Sequence, residues 1–166
     1  MRLDANKYKQ LCLQTWKDPI YFCALGFGSG LIPVAPGTFG TLAAIPLYLL
    51  MNTQSSINYL LIIIMAFIFG VWICHKVSQD LGIQDYSGIV WDEIVGYLLT
   101  MFHVPCNIKF MILGFLLFRL FDIWKPQPIR YIEQHVPGGL GVMLDDIIAA
   151  LMTWMIMQLI IWIFGL

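Results

Sequence analysis

An all-α polytopic membrane bundle is the fold class this sequence predicts, with about five crossings and an N-terminal interfacial or re-entrant helix. Three observations predict it. The 166 residues are 60% hydrophobic and only 11% charged, with a mean hydropathy of +0.80, whereas soluble domains carry about 25% charged residues. No Asp, Glu, Lys or Arg occurs from Pro19 to His75. The chain then closes on twenty uncharged residues, 147–166, about the length that crosses a bilayer.

Residues 1–18 form a basic N-terminal segment with Arg2, Lys7, Lys9 and Lys17. The apolar stretch behind it is interrupted by glycines and prolines and has no clear cleavage site, so it does not read as a signal peptide. Residues 19–166 read as one membrane-embedded domain. Segment 19–32, at fourteen residues, is short for a span and must begin and end on the same side, which makes it interfacial or re-entrant. A helix over about 39–51 is followed by the polar loop NTQSS (52–56) and a helix over 57–74. Charges then cluster at Lys76, Asp80, Asp85, Asp92 and Glu93. A helix starting near Ser87 carries the apolar run 94–102 to the turn HVPCN (103–107), where Pro105 breaks it. The next helix, about 109–124, ends at Lys125-Pro126, because a proline disfavours helix in the residue before it. A Pro- and Gly-rich loop, 126–141, leads to the final span.

Threaded up and down, these helices collect every charge except Lys109 on one side. Basic residues divide eight to one, which the positive-inside rule assigns to the cytoplasm. The net charge of −1 and the lack of a basic stripe argue against a nucleic-acid partner. Cys12, Cys23, Cys74 and Cys106 are scattered singly, without a CxxC or zinc spacing, and read as reduced packing residues.

The charged side holds a constellation. Asp92 and Glu93 open one helix, and Asp145 and Asp146 open another. Adjacent helical residues diverge by about 100°, so each pair can serve two partners. Asp122 lies three residues from both Arg119 and Lys125, on roughly one helix face. Five carboxylates at one end of a bundle repel unless a cation compensates them, and Mg²⁺ or a similar hard ion prefers oxygen ligands. The competing reading is that acids at helix starts favour the helix dipole, worth about 0.3–1 kcal/mol each. That reading accounts well for Asp145 or Asp92 alone and poorly for the doubled acids together with Asp122, which sits near a helix end where the dipole disfavours it. Arg119, Lys125 and Arg130 beside the acids suit a phosphate group; charge balancing or attraction to anionic lipid heads is the alternative. In PVAPGTFG (33–40), Pro36-Gly37 makes a turn and Thr38 is expected to cap the helix 39–51, where free N–H groups can hold an anion. The glycines of GFGSG (26–30) read as close helix packing, since no strand precedes them. His75 reads as an interfacial structural histidine, with support of a metal ligand as its other use.

Four stretches, GFGSGLIPVAPGTFGTLAAIP (26–46), IVWDEIVG (89–96), FRLFDIWKPQPIR (118–130) and GGLGVMLDDIIAA (138–150), occur in order. Through them the chain resembles the phosphatidylglycerophosphatase A family of bacterial membrane lipid phosphatases, from about Pro19 to Phe164. The resemblance implies Mg²⁺-dependent removal of the terminal phosphate of phosphatidylglycerophosphate, giving phosphatidylglycerol, at the inner membrane. No Cys-x5-Arg, DxDx[TV] or PSGH signature is present, which favours metal-assisted attack by water over an aspartate nucleophile. The expected metal ligands are Asp92, Glu93, Asp145 and Asp146, with Asp122 a ligand or the base that activates water. Asp122, Asp145 and Asp146 are the expected catalytic acids, and Thr38, Arg119, Lys125 and Arg130 the expected phosphate binders. The alternative from another class is a non-enzymatic cation-binding transporter or channel component. It requires polar residues through the spans, and 57–74 and 147–166 carry almost none besides Gln158. A phosphotransferase using a nucleotide-activated lipid is the second enzyme alternative, but its DGxxAR signature is missing, because DDIIAA has neither the glycine nor the arginine.

Overall fold

The computed structural model describes residues 4–83 and 86–165, and the regular elements among them are all helical. Arg2 and Asp85 of the charge pattern, and Leu166 of the final span, lie outside the described residues. The N-terminal segment forms α1 (Ala5–Thr15), started by Asp4, which accepts from the Lys7 N–H at 2.7 Å. Leu11 and Thr15 are buried, so α1 is docked on the body. Next come α2 (Pro19–Ala24) and a 3-10 segment (Gly26–Leu31). Tyr21 Oη donates to Asp80 at 3.0 Å, and Gly30 lies against the Gly88 carbonyl. Both ends of 19–32 are therefore pinned to one end of the molecule, and GFGSG serves close packing, as its composition suggests.

Five helices make the body: α3 (Pro36–Met51), α4 (Ser56–Leu81), α5 (Trp91–Thr100), α6 (Ile108–Trp124) and α8 (Gly138–Phe164), with the short α7 (Ile129–His135) before the last. They run alternately between a charged end and a distal end. At the distal end Tyr48 of α3 and Tyr59 of α4 bond the Val104 and Leu98 carbonyls. Gln158 of α8 reaches His103 there, and Gly114 of α6 faces Met101. α5 is the central helix, packed on α8 and α3 and flanked by α4 and α6.

Two of these helices, α4 and α8, with 26 and 27 residues, are long and apolar enough to cross a membrane. α4 runs past position 74 because Lys76 and Asp80 pair at 3.0 Å across one turn, and it stops at Gly82 with φ 66°. α5 starts at Trp91 rather than near Ser87, because the preceding strip is committed elsewhere: the Val90 N–H donates to the Ala24 carbonyl at 2.9 Å. α8 begins at Gly138, well before Asp145, since Gly139 lets its first turn press against the Val71 carbonyl of α4. The expected loop 126–141 contains α7, anchored by the fully buried Ile129. The four cysteines form no disulfide, as expected, but Cys106 is exposed and packs no core.

Candidate active site

The site forms where the charged ends of α5, α6 and α8 meet the start of α3. Asp92 and Glu93 stand in the first turn of α5. Asp145 and Asp146 lie seven and eight residues beyond Gly138, in the third turn of α8, past the first-turn range over which the helix dipole acts. The dipole therefore gives no reason for this pair. Gly96 permits the approach of the helices: a Cβ there would lie 2.7 Å from Phe118 Cζ and 3.3 Å from the Asp146 carbonyl oxygen.

One carboxylate oxygen each from Asp92, Glu93 and Asp146 lies within 4.8 Å of the others. Asp92 and Asp146 are only 9% and 3% exposed, and Asp146 also faces the charges of Asp122, Asp92 and Asp145. Two carboxylates about 4 Å apart repel by roughly 4 kcal/mol at an effective dielectric constant near 20. Glu93 Oε2 and Asp146 Oδ2 are buried without a hydrogen-bond partner. Arg119 Nη1 lies 2.5 Å from Asp122 Oδ2 and 3.6 Å from Glu93 Oε1, while its Nε is buried without an acceptor. Gly37, at the second position of α3, makes room for this group: a Cβ there would overlap Glu93 Oε1 and sit 2.9 Å from Arg119 Nη1.

Lys125 closes the other side. Its backbone is left-handed, φ 46°, as the residue that ends α6, a conformation that costs on the order of 1–3 kcal/mol and collects at functional sites. Its Nζ donates to Asp145 Oδ2 at 2.9 Å and to Glu133 Oε1 of α7 at 2.7 Å. Burial by itself lowers the Lys125 pKa, but the two carboxylates outweigh it and hold the ammonium above the ordinary lysine value. The two aspartates of α8 thus diverge as adjacent helical positions must: Asp146 joins the acidic trio and Asp145 holds Lys125. Asp92 and Glu93 instead both enter the trio.

A cavity of about 290 Å³ lies among these groups and is lined by Asp92, Glu93, Arg119, Asp122, Lys125, Asp145 and Asp146, with Pro36, Gly37 and Ser87 at its rim. Five carboxylates face two cations. Buried charges of one sign persist where something compensates them, and hard oxygen donors at this spacing fit a small divalent cation such as Mg²⁺.

The other expected site residues fall elsewhere. Thr38 is not the cap of its helix. α3 starts earlier, at Pro36, whose fixed φ suits a first helical position, and Ala35 at φ 49° occupies the cap without a side-chain hydrogen bond. Thr38 is absent from the cavity lining, which takes Ala35, Pro36 and Gly37 from this turn. Arg130 sits exposed on α7, outside the lining and without an ion pair among the described residues. His75 packs against Gly138 at the α4–α8 crossing, outside the cavity, which agrees with a structural role. Two participants were not anticipated. Gly37 lay inside a turn noted for its threonine, and Glu133 lies on a helix the sequence reads as loop.

Known proteins are similar to this chain in sequence. The family model of phosphatidylglycerophosphatase A matches residues 22–161. Phosphatidylglycerophosphatase A of Escherichia coli (strain K12) is 42% identical over 137 residues, covering 82% of this chain and 80% of that protein. The Haemophilus influenzae protein of the same name is 40% identical over 136 residues, covering 81% and 83%. A Bacteroides thetaiotaomicron protein with the provisional name phosphatidylinositol-3-phosphatase is 37% identical over 148 residues, covering 84% and 92%. No solved structure matches the chain. The enzymatic reading therefore stands over the transporter alternative, and the chain, an enzyme of the phosphatase class, belongs to the phosphatidylglycerophosphatase A family.

Proposed function

We propose that the chain hydrolyses the terminal phosphomonoester of phosphatidylglycerophosphate to phosphatidylglycerol and inorganic phosphate. The reaction is Mg²⁺-dependent, serves glycerophospholipid synthesis, and takes place at the cytoplasmic face of the bacterial inner membrane. The names of the Escherichia coli and Haemophilus influenzae relatives support the substrate. The observation that carries the chemistry is the charge imbalance, five carboxylates against two cations around one cavity. A phosphomonoester brings a further charge of about −1.5 to −2, which such a cavity rejects until cations fill it.

Asp92, Glu93 and Asp146 would hold the cation. When bound, it supplies Lewis-acid polarisation of a phosphoryl oxygen and of the attacking water. Arg119 turns from Asp122 and Glu93 to grip the phosphate oxygens with its planar fork. Asp122, released by that movement, accepts a proton from the attacking water; the bond from phosphorus to the glycerol oxygen breaks, and that oxygen takes the proton from Asp122 to leave as a hydroxyl. Lys125, positioned by Asp145 and Glu133, faces the leaving or retained phosphate oxygens as a point charge. An aspartate nucleophile is the second route, and the missing aspartyl-phosphate signature weighs against it.

The five alternating helices are taken as five passages of the membrane. α4 and α8 have full length, and α3 and α6, with 16 and 17 residues, rise about 24 and 25 Å. α5, with ten residues, rises only about 15 Å, so the non-helical stretch 101–107 completes its passage. Non-helical backbone at membrane depth is tolerated where protein groups satisfy it, and the carbonyls of Phe102, His103 and Val104 have such partners.

Purified protein in liposomes should release phosphate from phosphatidylglycerophosphate with Mg²⁺ and lose that release in EDTA. Mg²⁺ should also raise the thermal midpoint of the substrate-free protein, since a ligand that binds only the folded state stabilises it. Release indifferent to chelation removes the metal from the reading, and no release under either condition removes the substrate. For the topology, cysteines placed in 52–56 and at the C-terminus should label from the periplasmic side; labelling of either from the cytoplasm alone refutes five passages.

A further inference from the structure

A second, larger cavity of about 500 Å³ adjoins the acidic one. It lies between α1, the backbone that follows the 3-10 segment, and the turn before α5. Tyr8, Leu31, Val34 and Tyr86 form its walls, and Pro36 and Ser87 line both cavities. The two cavities are therefore neighbours across Pro36 and Ser87. The chemistry changes sharply at that boundary. The acidic cavity is walled by seven charged side chains, whereas no charged side chain among the described residues lines the second. Its size and its apolar walls with a few hydroxyls match small-molecule and cofactor sites, which run from about 300 to 1,000 Å³.

An apolar cleft that shares two lining residues with a charged cavity fits a molecule with one phosphate end and one hydrocarbon end. We propose that this cleft seats the acylglycerol portion of the lipid whose terminal phosphate enters the acidic cavity, and that α1 is the wall that sets which acyl chains fit. The proposal rests on the lipid-phosphatase reading of the site. α1 is held in place by Tyr8 Oη, which donates to the Leu31 carbonyl at 2.5 Å, and by the buried Leu11. It precedes residue 22, where the family match begins, so this wall comes from the part of the chain outside the matched core.

Ala5→Trp and Val34→Trp test it from opposite walls. Both positions are exposed, Val34 at 72%, so neither substitution removes core packing. In Mg²⁺, kcat/KM is measured on phosphatidylglycerophosphate with two oleoyl chains and with two hexanoyl chains. Each variant should lower the long-chain value about tenfold and leave the short-chain value within about twofold of wild type. Unchanged long-chain values, or equal losses on both substrates, overturn the proposal. A readout free of catalysis accompanies it: wild type in EDTA is irradiated with phosphatidylglycerophosphate bearing a diazirine on its acyl chain. Adducts on peptides containing Tyr8 or 31–36 support the cleft, and adducts confined to α4, α6 and α8 overturn it. If wild type releases phosphate from neither substrate, the lipid-phosphatase reading fails, and the adduct map still decides whether the cleft holds the chain.

Discussion

At the distal end of α5 the backbone leaves the helix, and side chains from three other helices meet its carbonyls. Tyr59 Oη donates to Leu98 at 2.7 Å, and Trp154 Nε1 to Phe102 at 2.8 Å. Gln158 Nε2 reaches both Phe102 and His103 at 3.3 Å, and Tyr48 Oη reaches Val104 at 3.3 Å. The buried polar atom left over at that end is the neutral hydroxyl of Thr100. At the charged end of the same ten-residue helix, Glu93 Oε2 and Asp146 Oδ2 are buried and unsatisfied, as is Arg119 Nε. One helix therefore lies between an end where uncharged groups are paired by neighbouring helices and an end where charged groups are left to face a cavity. Leaving a buried charge uncompensated costs roughly 3–5 kcal/mol, against about 1–3 kcal/mol for a neutral group. Pairing of the weaker groups, beside charged atoms that keep no hydrogen-bond partner among the described residues, is the arrangement the proposed cation site requires.

The difference can be broken most directly at Asp146. Asp146→Asn keeps the side-chain volume and removes the charge that Asp122, Asp92 and Asp145 oppose. Turnover should fall at least about 10²-fold, roughly 2.7 kcal/mol of transition-state stabilisation. The thermal midpoint without Mg²⁺ should hold or rise, because a repulsion has been removed. A variant that loses activity only in step with a falling midpoint would return Asp146 to a structural role.

Arg119→Lys is the next largest effect. The ammonium keeps the charge between Asp122 and Glu93 but lacks the planar fork that grips phosphate through two bonds. kcat/KM should drop about 10- to 30-fold, with the midpoint little changed. Wild-type kinetics would show that Arg119 only balances the acids.

The distal end predicts the reverse pattern. Trp154→Phe combined with Gln158→Leu leaves the Phe102 and His103 carbonyls without their side-chain donors. Interhelical hydrogen bonds in membranes average about 0.6 kcal/mol, so the pair should lower stability by about 1 kcal/mol in a chemical unfolding series. Activity per folded molecule should be unchanged, because no group of the acidic cavity is touched. A selective loss of turnover would mean that the two ends are coupled.

The two ends were not equally legible from sequence. Charge in an apolar chain is conspicuous, so the five carboxylates with Arg119 and Lys125 could be gathered at one end from the threading alone. The threading did not separate Asp145, which holds Lys125, from the trio Asp92, Glu93 and Asp146, nor Arg130 from the two cations of the cavity. What sequence could not place was set by tertiary contact. Gly37 matters because Glu93 and Arg119 occupy the space of its missing side chain, and nothing in the letters PGT marks that approach. Glu133 meets Lys125 only because seven residues between prolines form α7, too short a stretch to show a helical period. Thr38 misled for a local reason: a threonine before an apolar run is a good cap, but Pro36 had already begun the helix. α5 was read too long because the backbone just before it bonds Ala24, a partner more than sixty residues away in sequence. At the distal end Gln158 read as an isolated exception in an apolar span, and its use became visible only with the carbonyls of 102 and 103 beside it.

The smallest effect tests whether an acid at a helix start is enough to explain the site. Asp18 is such an acid: it precedes α2 and accepts from the Ile20 N–H at 2.9 Å, and it lies outside the cavity lining. Its work is to satisfy a backbone donor, which an asparagine side-chain oxygen does equally well. Asp18→Asn should therefore be near wild type in both stability and turnover. Asp18→Ala removes the acceptor and should cost about 0.5–1 kcal/mol of stability, while activity per folded molecule stays intact. Asp146 should give the opposite result with the same chemical change, since an amide that replaces a cap without loss does not replace the carboxylate proposed to hold the cation. The paired measurement is turnover and thermal midpoint for Asp18→Asn and Asp146→Asn in one preparation series. Matching small losses at both positions would assign the acids of the cavity to the same capping role as Asp18.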